Sequence, residues 1–151
     1  HKSCLSHQIH WFFILRLLTA SYTRLPSMAG CGSWSYDHVQ LAIPRGGEGQ
    51  GRLFWVELLG MKELSKPDHL KQQGGMWLQA GELNLHLGVV RGEPETFTPA
   101  KKAHPCFRIP NLNAVAAKLQ EAGYTVEWDV TLAERARFFT HDPFGNRLEF
   151  C

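Results

Sequence analysis

The order of secondary-structure signals in this chain runs through once and then repeats. A strand opening on His38, a helix closed by Gly60 and a hairpin whose second strand carries His86 come first; the same order returns with His104, Gly123 and Glu149, at offsets of 63 to 66 residues. In the first copy, Val39, Leu41 and Ile43 alternate with His38, Gln40 and Ala42, which is the period of a half-buried strand. Pro44 and the glycine-rich run 45–51 end it. Residues 53–59 have apolar positions at helical spacing, and Gly60 just beyond is suited to the left-handed residue that closes a helix. A second strand is expected at 61–65, then a polar loop through Gln73, then strands at 75–79 and 82–89 around Ala80-Gly81. Leu83, Leu85 and Leu87 face one way there, and Glu82, Asn84 and His86 the other.

Residues 91–102 have no periodicity and read as a linker. The second copy starts with Pro105, Phe107 and Ile109 opposite His104, Cys106 and Arg108, with Pro105 suiting an edge or a strand start. Asn111 stands where a helix cap belongs, ahead of a stripe of Leu112, Val115, Ala116 and Leu119 that Gly123 stops. A strand at 124–128 precedes the closing hairpin, whose turn is Asp142-Pro143-Phe144-Gly145: Asp first, Pro presetting φ second, Gly fourth. In its last strand Leu148 and Phe150 alternate with Arg147 and Glu149, which sets Glu149 opposite the apolar pair. Two βαβββ copies result, so the fold class expected is α+β.

The 151 residues, 44% of them hydrophobic, suffice for one domain with its own core. A net charge of +2 with interspersed signs forms no basic stripe, and no nucleic-acid-binding motif is present, so nucleic acid is not an expected partner. Cys4, Cys31, Cys106 and Cys151 form no CxxC or regular framework, which fits reduced thiols and a cytoplasmic setting. Residues 1–30 differ from the rest and are read as an extension outside the domain, which spans 31–151. The apolar stretch 11–18 carries Arg16 and falls short of the ~20 residues of a membrane span, so no membrane partner is expected. Met28 shortly precedes the first patterned strand and is read as the start of the chain proper, with 1–27 lying upstream of it.

The stretches DHVQLAIP and DPFGNRLEF, the Phe54-Trp55 to Leu59-Gly60 helix end and the duplicated layout resemble the vicinal oxygen chelate superfamily. That group includes glyoxalase I, extradiol dioxygenases, and fosfomycin- and bleomycin-resistance proteins. The resemblance covers residues 36–151 and implies tandem modules, 36–90 and 103–151, forming a curved eight-stranded half-barrel or cup. It also implies metal ligands on the first and last strands of each module, positions that here hold His38, His86, His104 and Glu149. Imidazoles with one carboxylate suit one divalent Zn, Ni, Co, Fe or Mn ion.

The departure is His86, where glyoxalase I proteins usually carry Glu. It weakens the case for paired-carboxylate chemistry, although Glu149 can still move a proton as the catalytic group. Arg108 and Arg147 share the ligand face and are read either as orienting an anionic or oxygen-rich substrate or as solvated rim charges. Cys106 reads first as a buried, inert thiol and second as a residue lining the cavity, while His69, His141 and the three N-terminal histidines match no ligand position and are expected at the surface or in turns. The resemblance thus implies a metal-dependent lyase, isomerase or extradiol-type dioxygenase, commonly dimeric, acting on a small oxygen-chelating substrate. The alternative is a metal-free module that sequesters small molecules, as bleomycin-resistance proteins do.

Overall fold

A computed structural model of the chain describes residues 35–92 and 96–151, and residues Tyr36–Cys151 form one compact unit. The expectations for residues 1–30 and for part of the 91–102 linker lie outside the described residues. Among the described residues no helix is long and apolar enough to cross a membrane.

Among the described residues, eight strands form two four-stranded mixed sheets that do not close on one another. The first contains β1 (Val39–Ile43), β2 (Lys62–Leu64), β3 (Met76–Ala80) and β4 (Leu83–Val89) in the order β1-β4-β3-β2. The second contains β5 (Cys106–Phe107), β6 (Glu127–Asp129), β7 (Arg137–His141) and β8 (Arg147–Phe150) in the equivalent order β5-β8-β7-β6. In each sheet the first strand lies parallel to the last, and a helix crosses between the first and second strands. The duplication expected from the sequence is thus a duplication of topology.

Strand alternation sets the core as expected. Ile43, Leu78, Leu85, Leu87, Phe138, Leu148 and Phe150 are buried from the two sheets, with Phe54, Trp55 and Leu119 filling in from the helices. Trp55 meets Phe107 edge-on at 6.0 Å and Phe54 meets Tyr124 at 4.8 Å, so the two modules share one core.

Three local expectations need correction. The glycine-rich run does more than end β1: α1 (Glu48–Arg52) lies within it and continues as a wider helical segment, Leu53–Leu58. Gly51 is buried there with Leu87 Cδ1 at 2.9 Å from where a Cβ would stand, so close packing favours glycine despite its poor helix propensity. In the wide segment Leu59 N donates to Phe54 O at 3.0 Å, five residues back, and Gly60, at φ 77°, closes it. The polar loop contains a one-turn helix, α2 (Asp68–Lys71), too short to show a periodicity. The hairpin turn lies at Gly81-Glu82, one residue later than expected.

In the second module, α3 (Leu112–Glu121) buries Ala116 and Leu119 as the stripe requires. Asn111 occupies the cap position, but its side chain makes no capping hydrogen bond. The closing turn is held by several bonds to one carboxylate. Asp142 Oδ1 accepts from the backbone N–H groups of Phe144 and Asn146, both at 2.9 Å, and Oδ2 accepts from Asn146 Nδ2 at 2.8 Å. Asn146 Nδ2 also donates to Ala42 O at 2.8 Å, tying the last hairpin to β1 of the first module. Burial pushes the Asp142 carboxyl above its ordinary range, against the pull of its hydrogen bonds to Asn146 and Phe144.

Candidate functional site

The four ligand-type residues fall into two pairs, one on each sheet. On the first sheet β1 and β4 place Gln40 beside His86, and β3 places Trp77 directly across from it. His38, just ahead of β1, shares that face by alternation. Its ring stacks on His86 with centroids 4.1 Å apart, and Trp77 stacks on His86 at 4.7 Å and 7°. Burial and the neighbouring His38 ring hold the His86 imidazole below its ordinary pKa, favouring the neutral form that coordinates metal or stacks on a ring. His38 Nδ1 lies 2.5 Å from Asp37 Oδ1. Beside the stack is a cavity of about 800 Å³ into which Gln40, Lys66 and Arg91 also project. Lys66 is held at its mouth by the Gly74 carbonyl.

On the second sheet the register sets Cys106 and Phe139 on either side of Glu149. Glu149 is only 5% exposed, which decides against a solvated face. His104 Nε2 stands 3.0 Å from Oε2, and Arg137 Nη1 donates to Oε1 at 3.2 Å. Burial raises the Glu149 pKa, but hydrogen bonds from His104, Cys106 and Arg137 outweigh it and leave the carboxyl below its ordinary range. Arg137 reaches on to Asp129, whose carboxyl is lowered to about 2 chiefly by its hydrogen bonds to Thr131. The Cys106 thiol is pushed up to about 12, first by burial, then by Cys151 and Glu149.

His104 carries the most information. Its Nδ1 faces the Lys102 carbonyl at 2.8 Å while its Nε2 faces the Glu149 carboxylate, so both ring nitrogens point at acceptors. A neutral imidazole has one N–H and satisfies only one of them. The other contact calls for a second proton or for a cation between Nε2 and the carboxylate. Metal-ligating histidines commonly have this form, one nitrogen on a backbone carbonyl and the other toward the ion. Two donors each ~2.1 Å from one ion, at angles of 90–109°, stand about 3.0–3.4 Å apart, so the observed separation fits.

The chemistry of the donor set therefore suits a divalent metal, but the four expected ligand residues come together two at a time, His38 with His86 and His104 with Glu149. Among the described residues no three His, Cys, Asp or Glu side chains converge closely enough to hold an ion. Of the expected substrate-orienting residues, Arg147 lies over the Phe139 ring at 4.0 Å, on the Glu149 face. Arg108 is exposed beside Arg135 and Cys151, farther along that face. His69 and His141 are exposed, as expected.

Sequence reasoning missed Arg137 and Trp77. Both were within reach of the hairpin registers: the turn at 142–145 sets Phe139 opposite Glu149, and so puts Arg137 on Glu149's face one diagonal away. Trp77 is the direct cross-strand partner of His86.

The sequence profile of the Glyoxalase/Bleomycin resistance protein/Dioxygenase superfamily matches residues 38–150. Among solved structures, a putative glyoxalase family protein from Bacillus anthracis is 39% identical with a TM-score of 0.73, covering 79% of this chain and 94% of that one. TnmS3, an antibiotic binding protein from Streptomyces sp. CB03234, is 20% identical with a TM-score of 0.55, covering 78% and 97%. The fosfomycin resistance protein FosX from Mesorhizobium loti is 9% identical with a TM-score of 0.58, covering 79% and 92%. These last two share the fold. A search of the curated proteins finds no match.

Proposed function

Since the chain belongs to the glyoxalase/bleomycin resistance protein/dioxygenase superfamily, we propose that it is a metal-dependent enzyme acting on a small substrate with neighbouring oxygen atoms. The observation that carries this reading is His104, with both ring nitrogens turned to acceptors. His104 and Glu149 form one half of the donor set, and His38 and His86 the other. We propose that the set is completed when the second-sheet half of one copy meets the first-sheet half of another, in a homodimer. These four residues would hold a divalent ion, which would supply Lewis acidity toward the substrate. Glu149 accepts or returns the substrate proton, and its bond to Arg137 keeps one oxygen oriented while the other faces the reacting centre. Arg147 and, farther out, Arg108 face an oxygen-rich substrate.

The test is metal titration of apo protein with Zn²⁺ or Co²⁺, with mass measured in the same samples. About one ion per chain at pH 7.5 is expected, leaving as pH falls below roughly 6 because imidazole must be neutral to coordinate. His104→Ala should remain folded and metal-poor. Full metal content in that variant removes His104 from the site, and a strictly monomeric metal-loaded protein removes the shared centre.

A second reading is supported by the Trp77–His86–His38 stack beside its cavity: a metal-free module that takes up planar small molecules. Quenching of Trp77 fluorescence by a planar ligand in chelator-treated protein, absent in Trp77→Phe, is its signature. Binding that requires the metal decides for the enzyme.

A further inference from the structure

Two thiols that take no part in the proposed chemistry meet at the edge of the second sheet. Cys106 lies across from Glu149 in the parallel pairing of β5 and β8, and Cys151, two residues past Glu149, returns to the same face. The Cys106 and Cys151 sulfurs are 3.6 Å apart. The strand pairing holds them there, since Cys151 N donates to Phe107 O and Ile109 N donates to Cys151 O, both at 2.9 Å. Arg135 Nη2 lies 2.6 Å from Cys151 Sγ and 4.0 Å from Cys106 Sγ. Beside Cys151 is a cavity of about 420 Å³ shared with Arg108 and Arg135, two guanidiniums against the single carboxylate of Glu134. Cys106 is exposed and Cys151 half-buried, and neither is in a disulfide. A disulfide needs ~2.05 Å between sulfurs, a closure of about 1.5 Å.

We propose that Cys106 and Cys151 are a redox-active dithiol, oxidised to an intrachain disulfide by an anionic low-molecular-weight disulfide of the glutathione type. Cys151 stands against the Arg135 guanidinium and borders the cavity shared with Arg108, where an anionic disulfide is drawn, so Cys151 is the first nucleophile. Its thiolate attacks one sulfur of the small disulfide; that S–S bond breaks, and one small thiolate leaves and is protonated from water. The Cys106 sulfur then attacks the Cys151 sulfur of the mixed disulfide, its proton passing to water, and the second small thiolate leaves and is protonated in turn. The protein loses two electrons and two thiol protons, and the oxidant is reduced to two thiols. Oxidation also removes the Cys106 hydrogen bond to Glu149, so the redox state is felt at the carboxylate of the candidate metal centre. The dithiol itself rests on the strand geometry and stands whether or not a metal is bound.

The experiment incubates the reduced full-length chain, carrying Cys4→Ser and Cys31→Ser, in buffers of increasing glutathione disulfide. Free thiols are counted and a non-reducing digest is mapped by mass. The expected result is joint loss of both thiols, a peptide linking Cys106 to Cys151, and full reversal by dithiothreitol. Cys106→Ser should accumulate a stable mixed disulfide at Cys151, and Arg135→Ala should slow the first step about 10-fold. Stable glutathione adducts on both cysteines of the otherwise unaltered pair, with no linked peptide, overturn the proposal. So does a chain that keeps both thiols throughout the series, up to a large excess of glutathione disulfide with no reduced glutathione added.

Discussion

Arg137 Nη1 donates to Glu149 Oε1 at 3.2 Å while the same guanidinium holds Asp129 through Nε at 2.9 Å. One planar group thus spans two carboxylates, which a lysine ammonium on a flexible stem does not reproduce. Because the Glu149 side chain is only 7% exposed, loss of this partner leaves a nearly buried charge under-compensated. Arg137→Lys is expected to lower the urea midpoint at unchanged slope, since one of the two carboxylates loses its partner. An unchanged midpoint would show that the two-sided grip contributes nothing.

The pH dependence should show two stages. His86 titrates below its ordinary 6.5 in the folded state, so between the folded and unfolded values the unfolded chain binds more protons and stability falls as pH drops. Glu149 is shifted down from 4.5, so its contribution persists through that range and is lost only as pH falls through the folded value. Urea midpoints of metal-free protein from pH 8 to 4 should therefore begin to fall near neutrality. His86→Phe should flatten the first stage and leave the second. A wild-type curve level down to pH 5 would contradict the assignment of His86.

Thr140 is 2% exposed on the core face of β7, and its hydroxyl has no hydrogen-bond partner. Burying an unbonded hydroxyl is costly, so an isosteric methyl is preferred there. Thr140→Val should raise unfolding free energy by about 1 kcal/mol, measured by the same denaturation. A destabilised variant would mean that the hydroxyl finds a bond in solution.

The compact unit begins at Tyr36, and the composition of the chain changes near the same point. A chain beginning at Met28 is expected to match the full chain in melting temperature and metal content. A markedly lower melt would make the first 27 residues part of the fold.

Much of this arrangement could be read from alternation alone. The phase of Val39, Leu41 and Ile43 fixes the face of His38, and the leucines at 83, 85 and 87 do the same for His86, because a strand has only two faces. The helix from Glu48 was illegible because Gly49 and Gly51 argue against it locally, and only contact with Leu87 explains Gly51. β5 is shorter than its pattern, with Pro105 preceding it and Pro110 shortly after, each lacking an N–H to give to a ladder. Phase showed that the four ligand-type residues share faces. It could not show that they meet in twos, since the distance between two sheets is set by tertiary packing and assembly.

The bond from Asn146 to the Ala42 carbonyl joins residues 104 positions apart. The rest of the final turn, including the Asn146 amide's bond to Asp142, is local and can form as soon as the hairpin does, but the amide's second bond waits until the opening strand has docked. Contacts of such long separation are made late, after the entropy of closing the intervening loop has been overcome. The expected order is that the turn's internal bonds form with the hairpin and its last bond with docking of the first module. In a folding-rate experiment, Asn146→Ala should chiefly accelerate unfolding, while Asp142→Ala should also slow folding.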